Sequence, residues 1–331
     1  MDWKGLFGND HPLAVEIGCG NGDYLLRQAQ SHPRINFLGI ERQWEQVAKT
    51  LRKWTLLNQQ SDTGVSLRNV RLLWVDASFA FERFIRPRQV KEMTCLFPDP
   101  WPKKKHLRHR LLSNEFLCLA NSRLKSGGGF KIVTDDERYF DWILEQIPGS
   151  GLEVRRERID ARYETKYERK WLAQGKRSFH ELNLIKKSHI PVGVKEDVPL
   201  KAVFVDHMNP EFFARNFPPK SLLYGEDVKE LKKHADLRHA AHREGHMIFK
   251  DFFFDPQRSS GLLHLVVAEP DLTQHFWTRL QRTPKGWYIY PLEGHAFIPT
   301  RGIARALRRI GQIARTCQRG VIEEAIPETS I

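Results

Sequence analysis

Short apolar runs alternate with amphipathic stretches between residues 13 and 185, the pattern of strands and helices wound into a mostly parallel sheet. The runs predict strands at Leu13 to Ile17, Asn36 to Ile40, Val70 to Trp74, Met93 to Phe97 and Phe130 to Val133. Helical spacing predicts helices over Asp23 to Gln30, Gln46 to Leu57 and Asn114 to Leu124. Ser113 is the expected N-cap of the last one, and the SGGG run from Ser126 its expected stop, because glycine accepts the left-handed cap conformation. Glu153 to Ile159 and Phe179 to Ile185 extend the sheet, with a short helix beginning near Thr165 between them.

Periodicity stops at KKSHIPVGVKEDVP, Lys186 to Pro199, which reads as a linker. The expected division is residues 1–188 as an α/β domain with helices on both faces, 189–200 as linker, and 201–331 as a smaller α+β domain. The second domain predicts strands at Ala202 to Val205, Met247 to Phe254, Leu262 to Ala268, Trp287 to Tyr290 and Ala296 to Ile298. Its helices are expected at Leu272 to Gln281 behind Asp271, and at Arg301 to Arg315 behind Thr300. On the latter, Arg301, Arg305, Arg308 and Arg315 share one face, opposite Ile303, Leu307, Ile310 and Ala314. That arginine face is either free to meet phosphates or a solvated surface, and the role of the domain stays open at this point. His239, His242 and His246 stand at helical spacing, but with no cysteine or acid in register they read as a solvated face rather than metal ligands.

A formal net charge of +13 over 331 residues points to a polyanionic partner, most commonly nucleic acid. Cys19, Cys95, Cys118 and Cys317 lie far apart with no CxxC pair, so neither a zinc site nor a disulfide framework is indicated and a reducing cytoplasm fits. Cys19 is expected to serve packing. No apolar run reaches about 18 residues, and MDWKGLFGND lacks the regions of a signal peptide, so the expectation is neither a membrane nor an exported protein.

The first strand turns into a helix through Gly18, Gly20 and Gly22, where backbone can approach a ligand that a Cβ would repel. Glu41 ends the second strand 19 residues beyond Gly22, placed to accept hydrogen bonds from ribose hydroxyls. Asp76 follows the third strand and suits an adenine amine. Glu16, just before the first glycine, would repel a pyrophosphate and favour a sulfonium or ammonium group, which argues for adenosylmethionine over a dinucleotide. The bland alternative is a tight turn with solvated acids.

After the fourth strand comes FPDPWPKKKHLRHRLL, Phe97 to Leu112. Its prolines stiffen the backbone around Asp99 and Trp101, and a cationic run able to neutralise phosphates follows directly. Trp101 could stack on an unpaired base, whereas Tyr167 and Trp171 read as core residues. Asp135 and Thr165 could equally be helix caps.

With EIGCGNG, GIE, FPDPWPKKKHLRHRL, TDD and TKYE, the chain resembles the bacterial tRNA (guanine-N7)-methyltransferase family over residues 13 to 185. The resemblance implies a class I methyltransferase fold, S-adenosyl-L-methionine as cofactor, tRNA as partner, and methyl transfer to N7 of a guanosine in the variable loop. It places Glu16, Gly18, Gly20, Gly22, Glu41, Asp76, Ala77 and Asp99 around the cofactor, with Asp99 also the catalytic residue. It sets Lys103, Asp135, Thr165, Lys166, Tyr167 and Glu168 against the guanosine, and Lys104, Lys105, His106, Arg108, His109 and Arg110 against the tRNA backbone. His109 stands where the family usually has Lys or Arg. No metal, membrane or protein partner is implied.

Three other readings remain on the residues alone. Asp99-Pro100 partly matches the Asp-Pro-Pro-aromatic motif of RNA exocyclic-amine methyltransferases. An RNA-binding protein of the same fold without activity is a second, and a dinucleotide oxidoreductase, for which no proton donor stands out, is a third.

Overall fold

The computed structural model of the protein describes residues 1–59, 67–195, 197–216, 221–223, 246–269, 272–293 and 297–316. The chain divides into two compact units, Met1–Lys195 and Glu196–Ile331.

The first unit is built on strands β1 (Leu13–Ile17), β2 (Asn36–Glu41), β3 (Val70–Trp74), β4 (Val90–Leu96), β5 (Leu124–Thr134), β6 (Leu152–Asp160) and β7 (Ser178–Lys186). They lie in the order β3-β2-β1-β4-β5-β7-β6. The first five run parallel, and β7 is inserted antiparallel to both β5 and β6. This is the fold that the sequence resemblance implies. Every residue of β1 and β2 is buried, as expected of strands covered on both faces. The chain leaves β1 toward β2 and β3, then returns to place β4 on the other side of β1. Such a reversal opens a crevice at the carboxyl ends of the strands, where ligands collect.

The helices are α1 (Trp3–Phe7), α2 (Asp23–Ser31), α3 (Trp44–Gln59), α4 (Ala77–Arg83), α5 (Asn114–Arg123), α6 (Glu137–Gln146) and α7 (Lys166–Ala173). Three of them, α1, α4 and α6, are not among the expected helices; α1 and α4, of 5 and 7 residues, carry too few turns for their period to show in sequence. Each starts at an aspartate whose side chain accepts backbone N–H groups: Asp2, Asp76 and Asp136. The glycine run does not stop α5. That helix ends at Arg123 with Leu124 already extended, and the glycines lie inside β5. Gly128 passes so close to β4 that a Cβ there would sit 2.9 Å from the Lys91 carbonyl oxygen.

The expected linker is corrected as well, because residues up to Lys195 belong to the first unit. Arg123 is completely buried and donates to the carbonyls of Phe81 (2.7 Å), Val192 (2.7 Å) and Gly193 (2.9 Å). Asn121 grips the same segment through the Ser188 carbonyl and the Ile190 amide. A guanidinium at that depth needs several acceptors, and the supposed linker supplies two of these three.

The second unit is an antiparallel sheet ordered β8-β13-β12-β11-β10-β9. Its strands are β8 (Val203–Val205), β9 (Ser221–Leu223), β10 (His246–Asp255), β11 (Ser260–Glu269), β12 (Leu272–Thr283) and β13 (Gly286–Pro291). Among the described residues, helix α8 (Pro210–Asn216) and helix α9 (Arg301–Thr316) accompany the sheet. Thr300 caps α9, which buries Ile303, Ala306, Leu307, Ile310 and Ala314 and leaves Arg301, Arg305, Arg308 and Arg315 exposed. The helix expected over Leu272 to Gln281 is instead β12. Gln274, Phe276, Thr278 and Leu280 are buried there while their neighbours are less so, a period of two, and the segment pairs with β11 and β13 on its two sides. No strand forms at Phe297 and Ile298. Asp271, Ala296, His239, His242 and Cys317 lie outside the described residues, and His246 opens a strand.

Candidate active site

Gly18, Gly20 and Gly22 carry φ values of +67°, +54° and +75°, in the left-handed region that favours glycine. A Cβ on Gly18 would meet nothing within 4 Å, and on Gly20 only the Gly18 carbonyl at 4.0 Å, so both face open space. On Gly22 it would lie 2.4 Å from Thr50 Cγ2. The first two glycines therefore leave room for a ligand, and the third lets α3 pack closely.

Glu41, at the end of β2, braces this turn. Its Oε2 accepts from the Gly20 amide at 3.0 Å and its Oε1 from the Gln43 amide at 2.8 Å. Glu16, on β1, is 6% exposed, and its Oε2 is buried with no hydrogen-bond partner among the described residues. Burial pushes its carboxyl up to about 8; Arg27 opposes the shift, while Asp23 and Glu41 add to it. Beyond β3, Asp76 Oδ1 accepts from the Ser78 amide at 2.8 Å and caps α4.

The loop after β4 is held in an uncommon conformation. Phe97 and Trp101 have φ of +54° and +43°, values that cost a non-glycine residue energy and persist only where the surroundings impose them. Phe97 is fixed by its amide on the Val133 carbonyl (2.7 Å) and by edge-on contact with Phe179. Between these two residues Asp99 stands 60% exposed, with Arg42 Nη2 at 3.6 Å. The Trp101 ring lies beside His106 and His109, at centroid distances of 5.7 and 5.2 Å. A 3-10 helix, Lys104–His109, follows.

Asp135 follows β5, and Lys176 donates to its backbone carbonyl. Burial raises the Asp135 carboxyl above its usual range. Asp136, not Asp135, caps α6, accepting from the Tyr139 amide at 2.7 Å. Helix α7 is pinned to the glycine turn from several sides. Asp23, next to Gly22, receives both Lys53 and Arg169, and Arg27 pairs with Glu164 at 3.1 Å. Tyr167 on α7 is 47% exposed. Partial burial raises its phenol, and the negative charges of Asp99 and Glu41 add to the shift, so the hydroxyl lies in the field of the site.

Residues 10–181 match the family described as "Putative methyltransferase". A tRNA (guanine-N(7)-)-methyltransferase of Chlorobium phaeobacteroides is 40% identical over 189 residues, covering 57% of this chain and 89% of that protein. One of Thermus thermophilus is 33% identical over 288 residues, 86% of this chain and 82% of that protein. The chain belongs to the tRNA (guanine-N7)-methyltransferase family. A relative in Aquifex aeolicus, 28% identical, aligns over 91% of this chain and 93% of its own length. The last two alignments are too long to stop at Lys195, so those family members share sequence with the second unit as well.

Of the residues that the family resemblance singled out, Glu16, Gly18, Gly20, Glu41 and Asp99 gather at the carboxyl ends of β1, β2 and β4, with Asp76 and Asp135 beyond β3 and β5. Others do different work. Arg110 is 8% exposed, donates to the Pro100 carbonyl at 2.8 Å, and lies 4.9 Å from the ring centres of both Tyr139 and Trp142. It props the loop and has little surface left for a phosphate. Glu168 is 1% exposed and accepts from the amides of Arg162 (2.8 Å) and Glu164, so its carboxylate holds the turn before α7. Thr165 caps α7, accepting from the Glu168 amide at 3.1 Å. Ala77 packs in the core. Tyr167, read as core, is exposed. Lys103, Lys105, His109 and Lys166 are exposed and His106 half-buried, whereas the side chains of Lys104 and Arg108 lie outside the described set. Sequence reasoning missed Arg42, Asp23 and Arg169. Arg42 adjoins the GIE acid and could have been suspected, but the partners of Asp23 are 30 and 146 residues away.

Proposed function

We propose that the protein transfers the methyl group of S-adenosyl-L-methionine to N7 of a guanosine in the variable loop of tRNA. The observation that carries this reading is the placement of Asp99, an exposed carboxylate on a conformationally restricted loop, beside a glycine cradle and a buried, unpartnered glutamate.

Those features fit the cofactor. The open faces of Gly18 and Gly20 accommodate a close approach, the orphaned Glu16 Oε2 suits the ammonium of the methionine part, and Glu41 keeps lone pairs for both ribose hydroxyls. Asp76 spends only Oδ1 on its cap and keeps Oδ2 for the adenine amine. When bound, the cofactor supplies an electrophilic methyl on its sulfonium. Guanine N7 already has a lone pair, so the chain needs to orient the base and balance charge rather than remove a proton. Asp99 hydrogen-bonds the guanine edge and stabilises the positive charge that develops on the purine. Asp135 accepts from the N1 and N2 donors and so selects guanine. Lys103 and Lys105 neutralise neighbouring phosphates.

The test is methylation of an unmodified tRNA transcript with radiolabelled cofactor, followed by mapping of N7-methylguanosine by chemical cleavage. Asp99→Ala is expected to keep the fold and cofactor affinity while slowing transfer by about a hundredfold or more. Activity within a few-fold of wild type would remove Asp99 from the mechanism.

A further inference from the structure

Two tryptophans beside the cofactor turn are left in water. Trp74, the last residue of β3, is 61% exposed, and Trp44, the first of α3, is 49% exposed. Their rings meet at 4.9 Å between centroids with 47° between planes, so they steady each other without covering each other's faces. Tryptophan is among the costliest side chains to leave exposed, and a soluble protein seldom sets two side by side without a use for them.

Their position says what that use is. Trp74 pairs in register with Glu41, the residue assigned to the ribose, which puts the indoles at the carboxyl edge of the sheet. The Trp74 Nε1 donates to the Arg42 carbonyl at 3.1 Å, and the same Arg42 extends its guanidinium toward Asp99. Platform and reacting carboxylate therefore hang on one stretch of backbone, Glu41 to Trp44. With its N–H engaged on the protein, the Trp74 ring has only its π surface to offer. Planar nucleobases match such a surface, and stacking tolerates any base.

We propose that Trp44 and Trp74 form a stacking platform for an unpaired nucleobase of the substrate RNA, adjoining the guanosine that is methylated. This rests on the RNA methyltransferase reading above and adds a second, sequence-tolerant grip outside the target pocket. Binding through this platform is apolar, so it contributes affinity without adding to the salt dependence that phosphate contacts create.

The experiment compares wild type with the double variants Trp44→Ala/Trp74→Ala and Trp44→Phe/Trp74→Phe, using an unmodified tRNA transcript and adenosylmethionine as separate probes. The alanine pair is expected to weaken tRNA binding about tenfold or more, with the slope of log affinity against log salt and the cofactor Kd unchanged, and the phenylalanine pair to recover most of that affinity. In wild type labelled with 5-fluorotryptophan, the resonances of these two rings should shift when tRNA is added, a readout that needs no variant to fold. Unchanged tRNA affinity in the alanine pair, or unshifted resonances, overturns the proposal. A drop in cofactor affinity with tRNA affinity retained also overturns it, and gives the indoles to the adenine of the cofactor. If wild type itself fails to methylate guanosine N7 in tRNA, the functional reading falls first and the platform with it.

Discussion

The buried carboxyl of Glu16 makes cofactor binding depend on pH in a way that can be worked out in advance. With its pKa pushed up to about 8 by burial, Glu16 is mostly neutral at physiological pH before the cofactor arrives. About 1% is ionised at pH 6, about 10% at pH 7 and about 25% at pH 7.5. An ammonium group beside it binds the ionised form, so the apparent Kd is the intrinsic value divided by that fraction. Affinity should therefore rise roughly tenfold between pH 6 and pH 7, with release of close to one proton per cofactor bound at pH 6.5. Titration calorimetry in two buffers of different ionisation enthalpy measures both quantities. Glu16→Gln should bind more weakly and lose the pH dependence, because a neutral amide has nothing to ionise. The same shift has a stability counterpart in the free protein. The folded chain holds the Glu16 proton more tightly than the unfolded chain, whose pKa is 4.5, so stability should fall as pH rises from about 4.5 through 8, by an amount of the order of a few kcal/mol. A wild-type Kd that stays flat from pH 6 to 7.5, with no proton released, would refute the placement of Glu16 against the ammonium.

Replacing Lys103 and Lys105 by alanine should weaken tRNA binding and make its salt slope shallower by roughly one to two, about 0.9 for each phosphate left without its lysine, while cofactor affinity stays the same. By contrast, Arg110→Ala should leave the salt slope alone and lower the melting temperature, since it removes a buried hydrogen bond and two cation–π contacts. Glu168→Gln sets an amide donor against one of two backbone donors and should cost about 1–3 kcal/mol, read as faster hydrogen exchange at the Arg162 and Glu164 amides. Reversing the charge of Arg301 and Arg308 on α9 should weaken tRNA binding at physiological salt if the second unit extends the RNA footprint; wild-type affinity in that variant would assign the arginine face to solvation alone.

The strands of the first unit were legible because a doubly covered sheet demands continuous runs of buried residues, and Leu13–Ile17 follows such a run end to end. The glycine turn, Glu41 and Asp99 were legible for a related reason. They act at fixed offsets from strand ends, so linear spacing carries their geometry. Period by itself failed at β12, where aromatic and polar residues alternate in a way that a short helix also tolerates; pairing with strands on both sides decided the conformation. Charge by itself did not reveal how Arg110 and Glu168 are held. In sequence each sits in a motif that suggests contact with RNA, yet the fold turns one under two aromatic rings and the other into a shell of backbone amides. Arg123 shows the same limit, since only the folded chain brings Phe81, Val192 and Gly193 around one guanidinium. Local spacing therefore determined which groups stand at the strand ends. Burial and long-range partners determined which of the remaining charges are free to meet a ligand, because a charge taken out of water must be satisfied by whatever the tertiary structure places around it.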